Sequence, residues 1–142
     1  MNRKDTDSLF AELKRDRKIE EFLSENRDEF LVPLSEYLER LLKEKNLEKT
    51  EVIHASRLDR SYAYQIFSGR KDNPSRPKLL ALALAMKLEL PEVQYLLRYA
   101  GHGILYPRNP WDSIVISAIE QRLSVMEANL LLEQLGETQM LR

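Results

Sequence analysis

Apolar residues recur along this chain at intervals of three and four, and those intervals mark out a succession of short helices. Leu34, Tyr37, Leu38, Leu41 and Leu42 fall at i, i+3, i+4, i+7 and i+8, one stripe on a helix whose other face is Glu and Lys. Pro33 and Ser35 open that helix, and Asn46 stands where a left-handed residue commonly closes one. Upstream, Leu9, Phe10 and Leu13, then Ile19, Phe22 and Leu23, predict two short amphipathic helices broken near Asp16 to Lys18, with Thr6 or Asp5 capping the first. Downstream, the stretch VIHASRLDRSYAYQIFSG from Val52 to Gly69 predicts two helices joined by a tight turn. The first supplies Val52, Ile53 and Ser56 to a core, Arg57-Leu58-Asp59 forms the turn, and the second directs Ala63, Ile66 and Phe67 inward. Arg60, Ser61, Tyr64 and Gln65 are left facing out. Gly69 closes the pair, because glycine accepts the positive φ that a helix end requires.

Beyond a proline-containing loop, Lys71 to Pro77, the apolar character becomes almost continuous from Leu79 to Met86, as expected of a helix buried on most sides. Pro91 suits the first turn of the next helix, whose inner face is Val93, Leu96, Leu97 and Ala100 and which Gly101 stops. After the linker HGILYPRNP the pattern returns at an offset of 35 residues. Pro77 to Gly101 and Asp112 to Gly136 align without a gap and share Ala83/Ala118, Leu88/Leu123, Glu92/Glu127, Leu96/Leu131, Leu97/Leu132 and Gly101/Gly136. A common architecture follows, a second α-hairpin made of Asp112 to Gln121 and Val125 to Leu135. Trp111 at its entrance either anchors in the core or lies exposed as a contact, and the core is the expected place.

Composition narrows the class. Of 142 residues, 43% are apolar and 32% charged, and with only four Gly the chain is dominated by straight-chain and small helix formers, so an all-α protein is expected. There is no cysteine, hence no disulfide framework and no thiolate site. No apolar run has the length of a signal peptide or a membrane span, and a cytoplasmic protein without a membrane partner is the expectation. The net charge of −1 conceals a local excess. Between positions 57 and 78, Arg57, Arg60, Arg70, Lys71, Arg76 and Lys78 stand against Asp59 and Asp72, whereas the flanking regions are each mildly acidic.

The stretch from Leu47 to Leu97 resembles the helix-turn-helix domain of the Cro and lambda-repressor-like (XRE) transcription regulators. The resemblance rests on Val52, Leu58 in the turn, Asp59-Arg60-Ser61, Ile66, Gly69 with Arg70-Lys71, Pro74 and the run Leu79-Leu80-x-Leu-Ala. It covers about the middle third of the chain. It implies a five-helix domain whose third helix enters the major groove. Ile53 stands where the family usually has Ala, Arg57 where Gly is common, and Glu48 where Ser or Thr caps. A left-handed Arg57 would cost on the order of 1 kcal/mol.

A helix in the major groove needs side chains near its N-terminus that reach base edges and discriminate among them. Arg60 can bond bidentately to guanine O6 and N7, and Gln65 to adenine N6 and N7. Ser61 can serve base or phosphate, and Tyr64 a thymine methyl or a phosphate. Lys49 and Thr50 before the turn, and Arg70 and Lys71 after the second helix, are placed for phosphates, which orient the protein without reading sequence. Tyr62 cannot face the same way as Tyr64 and is expected inward or at an edge. His54 and His102 have no metal-ligand spacing, and no glycine-rich phosphate loop or nucleophile elbow is present, so neither an enzyme nor a metal or cofactor site is expected. The expected organisation is an N-terminal helical arm over 1–30, the helix-turn-helix domain over 31–103 and a hairpin extension over 104–142. The expected function is a sequence-specific transcriptional regulator reading double-stranded DNA with helix 59–68, as a homodimer whose natural contact is the hairpin. The alternative is a helical adaptor that keeps the fold and binds a protein partner through its acidic arm and hairpin.

Overall fold

The computed structural model describes residues 4–13, 18–25 and 32–141, and among these every regular element is an α-helix. The chain divides into two compact units, Met1–Val32 and Pro33–Arg142. No helix among the described residues is long and apolar enough to cross a membrane.

The first unit carries α1 (Thr6–Leu13) and α2 (Ile19–Glu25). Asp5 supplies the cap of α1, its Oδ1 accepting the Ser8 N–H at 2.7 Å. Phe22 is buried, whereas Phe10, Leu13, Ile19 and Leu23 remain exposed. Most of the expected break between the two helices lies outside the described residues.

The second unit takes in both the expected domain and the expected hairpin extension. It comprises α3 (Leu34–Glu44), α4 (Lys49–Ser56), α5 (Arg60–Ser68), α6 (Arg76–Ala85), α7 (Leu90–Tyr99), α8 (Pro110–Glu120) and α9 (Val125–Gln134). At its centre is α6, in which Leu79, Leu80, Ala81, Leu82, Ala83 and Leu84 are all buried. A helix apolar on every side is stable only when covered on every side. Here α4, α7 and α9 pack against it, each buried leucine contributing about 1.5–3 kcal/mol. On α3, Leu38, Leu41 and Leu42 turn inward, and the helix packs on α5.

Two helix starts differ from the sequence pattern by a few residues. α6 begins at Arg76, because Pro77, whose missing N–H is no loss in a first turn, sits inside the helix and not at the end of the loop. α8 begins at Pro110 and not at Asp112, because Asn109 caps it, its side-chain oxygen accepting the Asp112 N–H at 3.0 Å.

The repeated pattern has a structural counterpart. α6 and α8 both end on a left-handed residue, Lys87 at φ 56° and Arg122 at φ 57°. α7 and α9 both open with a capping box, Glu89 with Glu92 and Ser124 with Glu127, and both close on a glycine at φ 80°. The two inter-helix turns also meet, the Lys87 ammonium donating to the Arg122 carbonyl at 2.9 Å. Trp111 is half-buried against the core, and its indole N–H donates to the Thr138 carbonyl at 2.7 Å, so it fastens the C-terminal segment as well as the hairpin.

Between the hairpins the linker is held by side chains on both sides. The Gln94 amide both donates to and accepts from the backbone of buried Leu105, at 2.9 and 2.7 Å. Arg76 fixes it at the other side, donating from Nε to the Gly103 carbonyl at 2.9 Å and from Nη2 to the Ile104 carbonyl at 3.0 Å. The same guanidinium makes a bidentate pair with Asp112, at 2.9 and 3.0 Å. Asp112 is buried and also accepts the Tyr106 N–H at 2.9 Å. Burial alone would raise the Asp112 carboxyl, but the hydrogen bonds from Arg76 and Tyr106 and the Arg76 charge outweigh it, leaving the pKa below the ordinary aspartate value.

Candidate nucleic-acid interface

The turn between α4 and α5 is built from short polar side chains. Ser56 is fully buried at the end of α4, its hydroxyl donating to the Ile53 carbonyl at 2.6 Å and accepting the Leu58 N–H at 3.2 Å. Arg57 takes the left-handed conformation at φ 63°, and Asp59 caps α5 by accepting the Tyr62 N–H at 2.9 Å. These contacts fix the angle at which α5 leaves α4. Val52 and Ile53 from α4, with Ala63, Ile66 and Phe67 from α5, are buried beneath it. At the far end Gly69 adopts φ 88°, and a Cβ there would lie 3.2 Å from the Ser35 hydroxyl, a site suited to glycine on both counts.

On the outer side Arg60 and Ser61 are exposed, while Tyr64 and Gln65 are half-buried. Tyr64 divides two neighbouring depressions. Thr50, Ile53, His54, Arg57, Leu58 and Arg60 line the first. Lys49, Ser61, Gln65, Phe67, Ser68 and Arg70 line the second. The Arg60 guanidinium lies 5.8 Å from the centre of the Tyr64 ring, one helical turn on. Thus Arg60, Ser61, Tyr64, Gln65, Lys49, Thr50 and Arg70 share one surface. Lys71 is exposed beside it and lines neither depression, its backbone N–H donating to the Gln65 carbonyl at 3.0 Å. Tyr62 sits at the core edge, its ring 4.3 Å from the Lys78 ammonium.

Two residues join this surface that the sequence pattern did not single out. Arg57 and His54 line the first depression with Arg60 and Thr50. The signal for Arg57 was present in its charge and its place in the turn; His54 had none beyond its outward position.

The electrostatics differ from the linear charge count. Arg76 is paired with Asp112, and the Lys49 ammonium is paired with the Glu39 carboxylate and lies 5.6 Å from the Phe67 ring. Among the described residues, Arg57, Arg60, Arg70, Lys71 and Lys78 have no carboxylate partner; Lys78 lies against the Tyr62 ring, and the other four form the remaining cationic set. His102, with its ring nitrogen 2.9 Å from the Pro74 carbonyl, ties the linker to the loop that follows α5. Among the described residues no group of three or more His, Asp or Glu side chains is close enough to hold a metal ion.

Against known proteins, no family model, no curated protein and no solved structure matches this chain.

Proposed function

We propose that the chain is a sequence-specific DNA-binding transcriptional regulator, in which α3 to α7 form a lambda-repressor-like five-helix domain and α5 enters the major groove. The observation that carries this reading is the single surface shared by the outward residues of α5 and the cations Arg57, Arg60 and Arg70, none of which has a carboxylate partner among the described residues. In this reading Arg60 and Gln65 contact base edges, Ser61 and Tyr64 support them, and Thr50, Arg57, Arg70 and Lys71 hold phosphates. Lys49 contributes after exchanging its Glu39 partner for a phosphate. Two copies read half-sites related by two-fold symmetry, since one module of this size gains specificity by pairing. The protein works in the cytoplasm, on double-stranded DNA, with no cofactor and no catalytic step.

The test is selection from a randomised duplex pool. The wild-type chain should enrich one symmetric motif, and Arg60→Ala should lose the preference for a guanine within it. A pool that stays random after repeated rounds would count against the reading. It would favour the second one, a helical adaptor, which has its own support in the apolar side chains that α9 leaves exposed.

A further inference from the structure

Of the cations assigned to phosphates, Arg57, Arg70 and Lys71 have no carboxylate partner among the described residues, and Lys49 alone has one. The partner is Glu39, which reaches the first residue of α4 from the neighbouring helix α3. The two side chains are 37% and 36% exposed. A pair so open to water adds little to stability, because water solvates each ion nearly as well as the partner does. Its weight therefore falls on what Lys49 can bind and not on the fold.

Lys49 lines the depression that also holds Ser61, Gln65 and Arg70, and its ammonium lies 5.6 Å from the Phe67 ring in the same wall. Glu39 does not line that depression; α3 packs on α5, and the carboxylate meets the ammonium from outside. Glu36, one turn earlier on α3, is engaged with Arg40 and leaves Lys49 to Glu39. A carboxylate and a phosphodiester make the same demand of an ammonium, an anionic oxygen within hydrogen-bond reach. Glu39 fills that place in the free protein. A phosphate takes Lys49 only by displacing Glu39, and the released carboxylate is then left beside a strand of like charge. Both costs fall on every duplex alike, since phosphates carry no sequence.

We propose that Glu39 is a built-in stand-in for a DNA phosphate, an autoinhibitory contact that lowers affinity for every duplex without altering the choice among them. Glu39 and Lys49 set the strength of the interface, while Arg60 and Gln65 set its preference. The inference rests on the DNA-binding reading of α5 and adds to it a regulating residue from a helix outside the interface.

The experiment is fluorescence anisotropy of the full chain with the duplex enriched in selection and with a shuffled duplex, for wild type, Glu39→Gln, Lys49→Gln, the double variant and Glu36→Gln. At about 50 mM salt Glu39→Gln should tighten both duplexes alike, about threefold, and the gain should shrink toward about 200 mM because an exposed pair is screened. Lys49→Gln should weaken both duplexes. In the Lys49→Gln background the gain from Glu39→Gln should fall below about 1.5-fold, the coupling that a shared contact requires. Glu36→Gln removes the same charge from the same helix while leaving Lys49 paired, and should change binding by less than about 1.5-fold. The circular dichroism melts should coincide, because these side chains are exposed. Equal gains from Glu39→Gln with and without Lys49, or an equal gain from Glu36→Gln, would show bulk charge at work and overturn the proposal. So would a Glu39→Gln chain that binds like wild type. A wild type that prefers the selected duplex keeps the DNA-binding reading through any of these failures, whereas a wild type that binds neither duplex overturns both.

Discussion

Replacing Arg76 with alanine removes four hydrogen bonds at once, two to the Asp112 carboxylate and one each to the carbonyls of Gly103 and Ile104. What remains is a carboxylate whose side chain is 7% exposed, with the Tyr106 N–H as its one remaining donor from outside its own turn. Breaking a fully buried ion pair by removing one partner costs about 3–5 kcal/mol. The Arg76 side chain is 25% exposed, so water can partly replace it, and a cost at or just below the bottom of that range, about 2–3 kcal/mol, is expected. For a unit of this size that is a fall in Tm of about 10 °C. The pH dependence distinguishes this cause from lost packing. In the wild type the Asp112 pKa is lowered, so its contribution is present above the unfolded value, 3.8, and is lost as pH falls through the lower folded value. Without Arg76 the raising effect of burial is less opposed, the folded pKa moves up, and protonation relieves the variant earlier. The stability gap between wild type and Arg76→Ala should therefore narrow as pH is lowered from 7 toward 4, read from urea midpoints at each pH. A gap below about 0.5 kcal/mol at neutral pH, or one that widens on acidification, would refute the account of the clamp.

Arg57→Gly should relieve a left-handed arginine, a gain of about 1–2 kcal/mol offset by about 0.5–1 kcal/mol of added unfolded-chain freedom, so the urea midpoint rises slightly while binding to duplex DNA weakens. Asp59→Ala removes the cap of α5 and should lower stability by about 1 kcal/mol, with hydrogen exchange fastest in the first turn of that helix. Tyr37 is pushed up to about 12, by burial first and then by Tyr95, Glu44, Glu92 and Tyr99. Its contribution is intact below the ordinary tyrosine value of 10 and lost as pH rises toward 12, so Tyr37→Phe should remove part of the alkaline destabilisation seen in a pH series of melts.

What the sequence made legible is what local physics decides. The stripe at Leu38, Leu41 and Leu42, the unbroken run from Leu79 to Leu84 and the turn at Arg57-Leu58-Asp59 each need only their own neighbours to be recognised, and the helices stand where those patterns put them. The offset of 35 residues found its counterpart in matched turns and caps for the same reason. Side-chain partners distant in sequence were not legible. Arg76 reads as one more cation in a basic stretch, and only the fold brings it to Asp112, 36 residues away. Lys49 likewise reads as a phosphate contact, and its Glu39 partner comes from the preceding helix. The stacking of Tyr37 on Tyr99, with ring centres 4.4 Å apart, joins α3 to α7 and leaves no mark in either helix alone. The outward set on α5 lies between these cases. Its direction follows from helical period, while its company of Arg57 and His54 depends on the crossing with α4.

The central claim is that α5 reads bases while the cations around it hold phosphates. It is tested most directly by fluorescence anisotropy with the duplex enriched in selection and a shuffled duplex, across a salt series, for wild type, Arg60→Ala and Arg70→Ala. The cations assigned to phosphates, Arg57, Arg70 and Lys71 with Lys49 once it leaves Glu39, correspond to a slope of log K against log salt of about −3 to −4 for each bound copy. The account predicts that Arg60→Ala removes the preference for the selected duplex, at a cost of about 1–3 kcal/mol on that duplex alone. Arg70→Ala should weaken both duplexes alike and flatten the slope by about 1. Equal binding of wild type to both duplexes, or an Arg60→Ala chain that keeps the preference, would contradict it.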